Sequence, residues 1–479
     1  MFVDGRTFNN ETLQADICII GGGVAGIALA REFASTNLQV ILLESGGIEG
    51  DADTQMLYKG HASGRNYNLM STRLRLLGGS SNHWKGLCAP LDARDFEARD
   101  GIAFSGWPIS KDELLPYYRK AADYLNLSNT RNADFKLPDD LMPVHPDLQP
   151  CMWRQAHALY PAETYHALLK DSQNIRVILH SNVMRIDADD NNAHVQQIIV
   201  RTLAGNSFAV QATRYVLCCG GIENARLLLL SRGLGNTRDQ VGRYFMEHLR
   251  CTTGKLYTFN SNATMKQFQR YTGMPGKYDK LYGIIPSDHL LKEERMLNSA
   301  MVIQRIRRIK DPPDAVPYMA HMMGVAPHSI YEGHLFGRVE QAPDPANRVT
   351  LSDDMDALGQ PRTALHVTAG KKEWQSLRRL SITIAQHMSA SKTGVVKLLP
   401  WIYEHGDWPK SNLWSNHHMG TTRMGDDPKT SVVDKNCKIH GVDNVYVAGS
   451  SVFATSGWAN PTYTLTALAI RLAEHLKSV

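Results

Sequence analysis

The chain has 479 residues, room for two to four domains at ~150 residues each. Its 43% hydrophobic and 21% charged content is that of a folded globular protein, which excludes a disordered one. The net charge of +5 is spread without a basic block, so nucleic acid is not an expected partner.

The opening residues 1–14 lack the basic-then-apolar order of a secretion signal. Ala15 to Ile20 read as a short β-branched strand that runs into Gly21-Gly22-Gly23-Val24-Ala25-Gly26. A helical run, IALAREFAS, follows, and then a second strand, QVILLE, ending at Glu44. Strand, glycine loop, helix, strand and acid in this order make a dinucleotide-binding unit. Gly21 permits the tight turn, Gly23 admits a pyrophosphate to the backbone, and Gly26 lets helix and strand pack closely. The free N–H groups at the helix start suit the phosphates. Glu44, eighteen residues past Gly26, is placed to accept hydrogen bonds from a ribose. The expected contacts here are Gly21, Gly23, Ala25, Gly26, Glu44 and Ser45. The motif alone does not separate FAD from NAD, although the acid disfavours NADP.

A second glycine cluster, Arg75-Leu76-Leu77-Gly78-Gly79-Ser80-Ser81-Asn82-His83-Trp84, is not needed by a nicotinamide enzyme but suits a large, flat second ring. Residues 174–187 and 196–202 alternate like strands, and 251–400 mixes strand-like runs (LNSAMVIQRI, RVTLS) with turn clusters (MPGK, DPPD, APDPAN). A helix is expected from Lys371 to about Ser389. Near the C-terminus stand His417-His418-Met419-Gly420-Thr421-Thr422-Arg423-Met424-Gly425, then NVYVAGSSVF, then Gly457-Trp458-Ala459-Asn460-Pro461-Thr462. Leu465, Leu468, Ala469, Leu472 and Leu476 share one helical face, which makes Asn460 a natural N-cap with proline at the first helical position. Adjacent histidines point apart and no acid or thiol sits at ligand spacing, so no metal is expected.

Together these motifs resemble the glucose-methanol-choline (GMC) family of FAD-dependent oxidoreductases. CGGIENARLLLLS (219–231), VGRYFMEH (241–248) and EQAPDPANRVTLS (340–352) are similar to its bacterial sugar and glycoside branch, near pyranose oxidase and glucoside 3-dehydrogenase. The resemblance is weakest over 126–150 and 251–327, which shape the substrate pocket in that family. It implies an α/β fold: a discontinuous Rossmann-like FAD-binding domain with a substrate domain built on an antiparallel sheet backed by helices. The FAD-binding parts are expected at 1–115, 151–250 and 409–479, a cap segment at 116–150, and the substrate domain at 251–408.

The resemblance also implies residue roles. His417 matches the family's catalytic base, and a neutral imidazole near pKa ~6.5 is a suitable acceptor. Asn460 matches its partner; an amide cannot take a proton, so it would donate to the substrate oxygen. Capping alone would also explain Asn460. His418 is expected to pack behind the motif. His83 matches the position that carries the flavin covalently in sugar-oxidising relatives; attachment and simple packing both stay open, and Asn82 could equally contact the ring. Further FAD contacts implied are Arg75, Gly79, Ser80, Val183 (at the adenine), Gly449, Ser450, Asn460, Pro461 and Thr462. Four tryptophans (Trp401, Trp408, Trp414, Trp458) flank the motif and suit stacking on a sugar, as core packing would also explain.

The expected activity is oxidation of a secondary ring hydroxyl of a sugar, glycoside, cyclitol or aminoglycoside to a ketone. The electron acceptor would be oxygen, a quinone or a partner electron-transfer subunit. A flavin-containing lyase on the same scaffold and oxidation of a non-sugar alcohol are the alternatives. Seven cysteines, an odd count partly in apolar runs, point to buried thiols and a reducing compartment, hence a cytoplasmic location. The longest apolar stretch, Ile17 to Ala30, is too short to span a membrane and carries four glycines.

Overall fold

Three apolar runs set the central layer. Thr12–Ile20, Val40–Leu43 and Ser207–Leu217 end in wholly buried residues, as strands covered on both faces do. The structure, a computed structural model, describes residues 1–127, 135, 137, 145–259, 280–403, 408–409 and 414–479. In it the three strands lie parallel, with Thr12–Ile20 between the other two. Ile175–Leu179 and Phe2–Asp4 extend the sheet beyond Val40–Leu43. Ser207–Leu217 is long enough for two further neighbours: Val445–Val447 pairs with its last residues in parallel, and Val195–Arg201 pairs with its first residues antiparallel. Asn182–Ala188 closes this eight-stranded sheet.

Helix Val24–Phe33 packs on the sheet and on helix Pro461–Ser478, which also packs on helix Lys111–Tyr124. The buried face of Pro461–Ser478 includes Leu468, Leu472 and Leu476, each at most 2% exposed and worth about 1.5–3 kcal/mol of burial.

A second, antiparallel sheet of seven strands runs in the order Gly394–Leu398, His248–Thr258, Ile330–Glu340, Ser299–Ile309, Lys280–Pro286, Leu148–Gln155, Leu87–Cys88. Helix Lys371–Ala390, within a residue of its expected end, covers it with Leu377, Leu380, Ile384 and Met388. A three-stranded sheet joins Arg348–Met355, Pro361–Val367 and His61–Gly64.

Two segments pair differently from the expected division. The boundary at 150/151 falls inside Leu148–Gln155, which belongs to the seven-stranded sheet through Lys280–Pro286. The hairpin at 348–367, placed by sequence in the substrate domain, pairs with His61–Gly64 and lies against helix Gly220–Leu230. Hairpin signals are local, so they locate a strand pair without saying which sheet it joins. The MPGK cluster (274–277) and much of the 116–150 segment lie outside the described residues.

Candidate functional site

The carboxyl end of the parallel strands opens onto a cavity of about 440 Å³. Helix Val24–Phe33 starts there with Gly23 as its N-cap, so its free N–H groups face the space. A Cβ on Gly26 would collide with the carbonyl of Gly21, whereas one on Gly23 would meet nothing within 4 Å among the described residues. The first glycine thus serves packing and the second leaves room for a ligand. The second glycine cluster folds against the first: Gly78 N–H donates to Gly22 O at 2.8 Å, and Gly23 and Gly78 form a β-bridge. Two loops about fifty residues apart in sequence therefore make one cradle.

Glu44 is buried with both carboxylate oxygens occupied, one by Gly22 N–H at 2.9 Å and the other by Gly46 N–H at 2.8 Å. Arg75 reaches Glu223 at 3.0 Å and Asn182 Oδ1 at 3.1 Å, while its Nε is buried without a partner among the described residues. Arg73 holds Glu223 at 2.6 Å, and Arg226 joins Glu223 to Asp356. Burial alone would raise the Glu223 carboxyl, but Arg226, Arg73 and Arg75 pull it down to about 2.

The corner around His417 is assembled from three distant segments. Strand His248–Thr258 begins at His248, strand Ile330–Glu340 carries Arg338, and residues 414–419 carry His417. The Glu247 carboxylate anchors the last of these by accepting the backbone N–H of Ser415 at 2.8 Å and that of His417. His417 Nδ1 lies 2.8 Å from His248 Nδ1, and its Nε2 lies 3.4 Å from Asn460 Nδ2. Asn460 Oδ1 accepts from Arg338 Nη1 at 2.6 Å. Burial, then His248, Arg338, Arg250 and His418, hold the His417 pKa well below its usual 6.5, so the ring is neutral. Arg250 sits directly across from Arg338 in register, and both line the cavity. Two guanidinium groups opposite each other are unfavourable in an ordinary strand pair; here they give the cavity wall beside His417 a positive potential.

Most residues expected from sequence border this cavity: Gly21, Gly23, Ala25, Glu44 and Ser45 from the first unit, and Arg75, Gly79, Ser80 and His83 from the second cluster. Val183, Gly449, Ser450, His417, Asn460, Pro461 and Thr462 complete the set. Gly26 and Asn82 stand off its wall; Asn82 donates its amide to Leu77 O and Gly79 O, both at 3.0 Å, and so holds its own loop. Asn460 occupies the N-cap position of Pro461–Ser478 but makes no capping hydrogen bond, its side chain being turned to Arg338 and His417. His418 directs its Nε2 to Tyr67 OH at 2.7 Å, and burial lowers its pKa to about 3.

For the four tryptophans the structure favours core packing, one of the two readings the sequence left open. Trp401, Trp408, Trp414 and Trp458 are at most 7% exposed, and none borders the cavity. Each indole N–H has a protein acceptor, respectively Thr252 O, Gly370 O, Asn66 O and Asp92 Oδ2. They are core anchors, and a ring already flanked and hydrogen-bonded has no face left for a sugar.

Glu247, His248, Arg250 and Arg338 were not singled out by sequence. The Glu-His pair of VGRYFMEH and an arginine inside the strand GHLFGRVE are the signals that were there. What joins them is strand register, which no local pattern states.

Residues 16–270 match the family model of FAD dependent oxidoreductases, and residues 343–469 that of GMC oxidoreductases. The chain is 24% identical to the fructose dehydrogenase large subunit of Gluconobacter japonicus, over 97% of this chain and 98% of that one. It is 22% identical to paromamine 6'-oxidase of Streptomyces fradiae, over 98% and 93% of the two chains. Among solved structures, pyridoxine 4-oxidase from Mesorbium loti superposes with a TM-score of 0.58 at 19% identity, over 97% of this chain and 99% of that one. That likeness shows the fold.

Proposed function

Because the chain belongs to the GMC family of FAD-dependent oxidoreductases, which act on CH–OH groups, we propose that it oxidises a ring hydroxyl of a sugar, glycoside or aminoglycoside to a ketone, with His417 as the base. The observation that carries this reading is the meeting of His417 Nε2 and Asn460 Nδ2 on the wall of the cavity that the glycine loops cradle. Sugar and aminoglycoside chemistry enters through the relatives named for fructose and paromamine, at low identity.

The residues present fit FAD. Among the described residues a Cβ at Gly23, Gly220 or Gly449 would meet nothing within 4 Å, which leaves open backbone on several sides of the cavity for phosphates and ring. Gly23 and the helix behind it would hold the pyrophosphate, Glu44 the ribose, and Gly79, Ser80, Pro461 and Thr462 the ring end. Bound FAD supplies the hydride acceptor. His83 faces the cavity with an imidazole whose pKa burial lowers, so it is a neutral ring able either to carry the flavin or to pack against it. Acid precipitation separates the two: colour stays with the protein pellet only if a bond has formed.

In the reaction, His417 Nε2 takes the hydroxyl proton. Asn460 Nδ2 donates to the same oxygen, with its amide held in that orientation because Arg338 claims Oδ1. Arg338 and Arg250 offset the negative charge that develops as the proton leaves.

The electron acceptor, whether oxygen, a quinone or a partner subunit, is set by what reaches the ring. Among the described residues no helix is long and apolar enough to cross a membrane. All seven cysteines are free, and a reducing, cytoplasmic setting fits them.

The test is anaerobic. The purified yellow protein is mixed with free sugars, glucosides and aminoglycosides, and the visible flavin band is followed before air is admitted. Bleaching by a sugar supports the reading. A flavin that dithionite reduces but no member of the panel does would overturn it.

A further inference from the structure

His248 is buried on the far side of His417 from Asn460 and does not border the cavity. Its Nε2 lies 2.8 Å from Gly457 O and 3.3 Å from Ser456 O. Carbonyl oxygens only accept, so this nitrogen carries a hydrogen and donates. Burial, and then Arg338, lower the His248 pKa to about 3, which leaves the ring neutral with a single N–H. Its Nδ1 can therefore only accept. The atom facing that Nδ1 at 2.8 Å is His417 Nδ1, which must then be the donor. A neutral imidazole with its hydrogen on Nδ1 has its lone pair on Nε2, the nitrogen beside Asn460.

The chain of hydrogen bonds runs one way: His417 Nδ1–H to His248 Nδ1, and His248 Nε2–H to the Gly457 carbonyl. Its far end is clamped, because the Gly457 N–H donates to Glu340 Oε2 at 3.1 Å and Glu340 is paired with Arg99. Asn460 agrees from the other side. With Oδ1 taken by Arg338, it presents Nδ2–H to His417 Nε2, a contact that needs a lone pair there.

We propose that His248 is a positioning residue that holds His417 in the Nδ1–H tautomer, so that the lone pair of the base faces the substrate. The proposal rests on the reading of His417 as the base. His248 touches neither substrate nor cofactor; it acts through His417, as an acceptor behind a catalytic imidazole does. Without it, the proton of His417 is free to sit on Nε2, where it would block proton abstraction. The groups facing the two rings are Arg338 and Arg250 from the paired strands, Glu247 next to His248, Glu340 across from it in register, and His418 next to His417.

The direct test is the tautomer. Protein carrying 15N-labelled histidine is examined by long-range 1H–15N correlation at pH 7, with and without FAD, and the two rings are assigned from His417→Gln and His248→Phe. The expected wild-type pattern is His417 protonated on Nδ1 and His248 on Nε2. A His417 protonated on Nε2 in the wild type overturns the proposal, whatever the substrate proves to be.

The kinetic arm uses anaerobic flavin reduction by D-fructose, methyl β-D-glucopyranoside and paromamine. His248→Phe is expected to lower the limiting reduction rate by roughly 10–100-fold, the usual effect of removing a group that orients a functional histidine. Half-saturation should stay unchanged. His248→Asn, whose amide oxygen can still accept from Nδ1–H, should recover part of the rate and of the wild-type tautomer. His248→Phe reduced at the wild-type rate, with the tautomer unchanged, overturns the proposal. If His248→Phe does not fold, His248→Asn and the wild-type spectrum still decide. If none of the three compounds bleaches the wild-type flavin, the sugar reading fails while the tautomer still decides the role of His248.

Discussion

Two polar clusters line the same cavity and solve burial in opposite ways. Around Glu223, three arginines gather on one carboxylate, with Asp356 as a second acid, and the arginines hold the Glu223 carboxyl well below its ordinary range. Around His417, a histidine, an amide and two arginines meet with no acid bonded to the imidazole among the described residues, and the ring is neutral. In the first, opposite charges outweigh desolvation. In the second, desolvation and like charge act together. A buried ion network of the first kind is rigid and suits holding a cofactor; a neutral imidazole kept from protonation suits accepting a proton.

The largest way to break this contrast is at His417, the proposed base. His417→Ala should slow flavin reduction by ~10²–10⁴ while the protein keeps its yellow colour, read by anaerobic stopped flow. On the proposed role the neutral ring is the active form, so activity should be lost only as pH falls through the depressed His417 pKa. Reduction rate against pH should therefore show no acid limb near 6.5; one found there would put His417 in an ordinary environment.

The ionised cluster should fail differently. Glu223→Gln leaves the arginines without their shared charge and should destabilise the fold by about 3–5 kcal/mol, read as a lower denaturant midpoint. The folded pKa of Glu223, about 2, lies below its ordinary 4.5. Its contribution is thus complete above about pH 4.5 and is lost as pH falls towards 2, so wild type and variant should converge over that window.

The glycine loop divides the same way on a smaller scale. Gly26→Ala drives a methyl group into the Gly21 carbonyl and should cost about 1–3 kcal/mol of stability. Gly23→Ala points into open cavity; its melting temperature without FAD should be unchanged, while the Kd for FAD rises roughly tenfold. Equal stability loss in both would mean that Gly23 is there for packing alone.

What the sequence displayed depends on how local each signal is. The cradle was legible because turn, helix start and acid sit within 24 residues, Gly21 to Glu44, and each has a residue preference of its own. His417 and Asn460 were legible through motif resemblance, though spacing could not separate catalysis from capping for Asn460. That question turns on Arg338, 122 residues away, whose guanidinium draws the amide off the helix end. His248 and Arg250 came into view only when His248–Thr258 paired with Ile330–Glu340 in the observed register. The flanking tryptophans stayed undecided between stacking and packing because proximity in sequence is not proximity to the cavity: their N–H groups are spent on backbone carbonyls and on Asp92.

The subtlest way to sharpen the contrast is to give the neutral cluster a carboxylate. Asn460→Asp keeps the shape and an oxygen for Arg338, but removes the Nδ2 donor and adds negative charge about where Nδ2 stood, 3.4 Å from His417 Nε2. The charge favours the imidazolium and so raises the His417 pKa. At alkaline pH the base is neutral in both proteins, and the variant should lose the donor to the substrate oxygen, a hydrogen bond of about 0.5–1.5 kcal/mol, or roughly 2–10-fold in rate. The charge set beside the developing oxyanion adds a further, pH-independent loss. As pH falls, the variant's base protonates first and the gap should widen. A gap of the same size at every pH would mean that the protonation state of His417 does not govern the rate, and the neutral cluster would then have to be explained by packing.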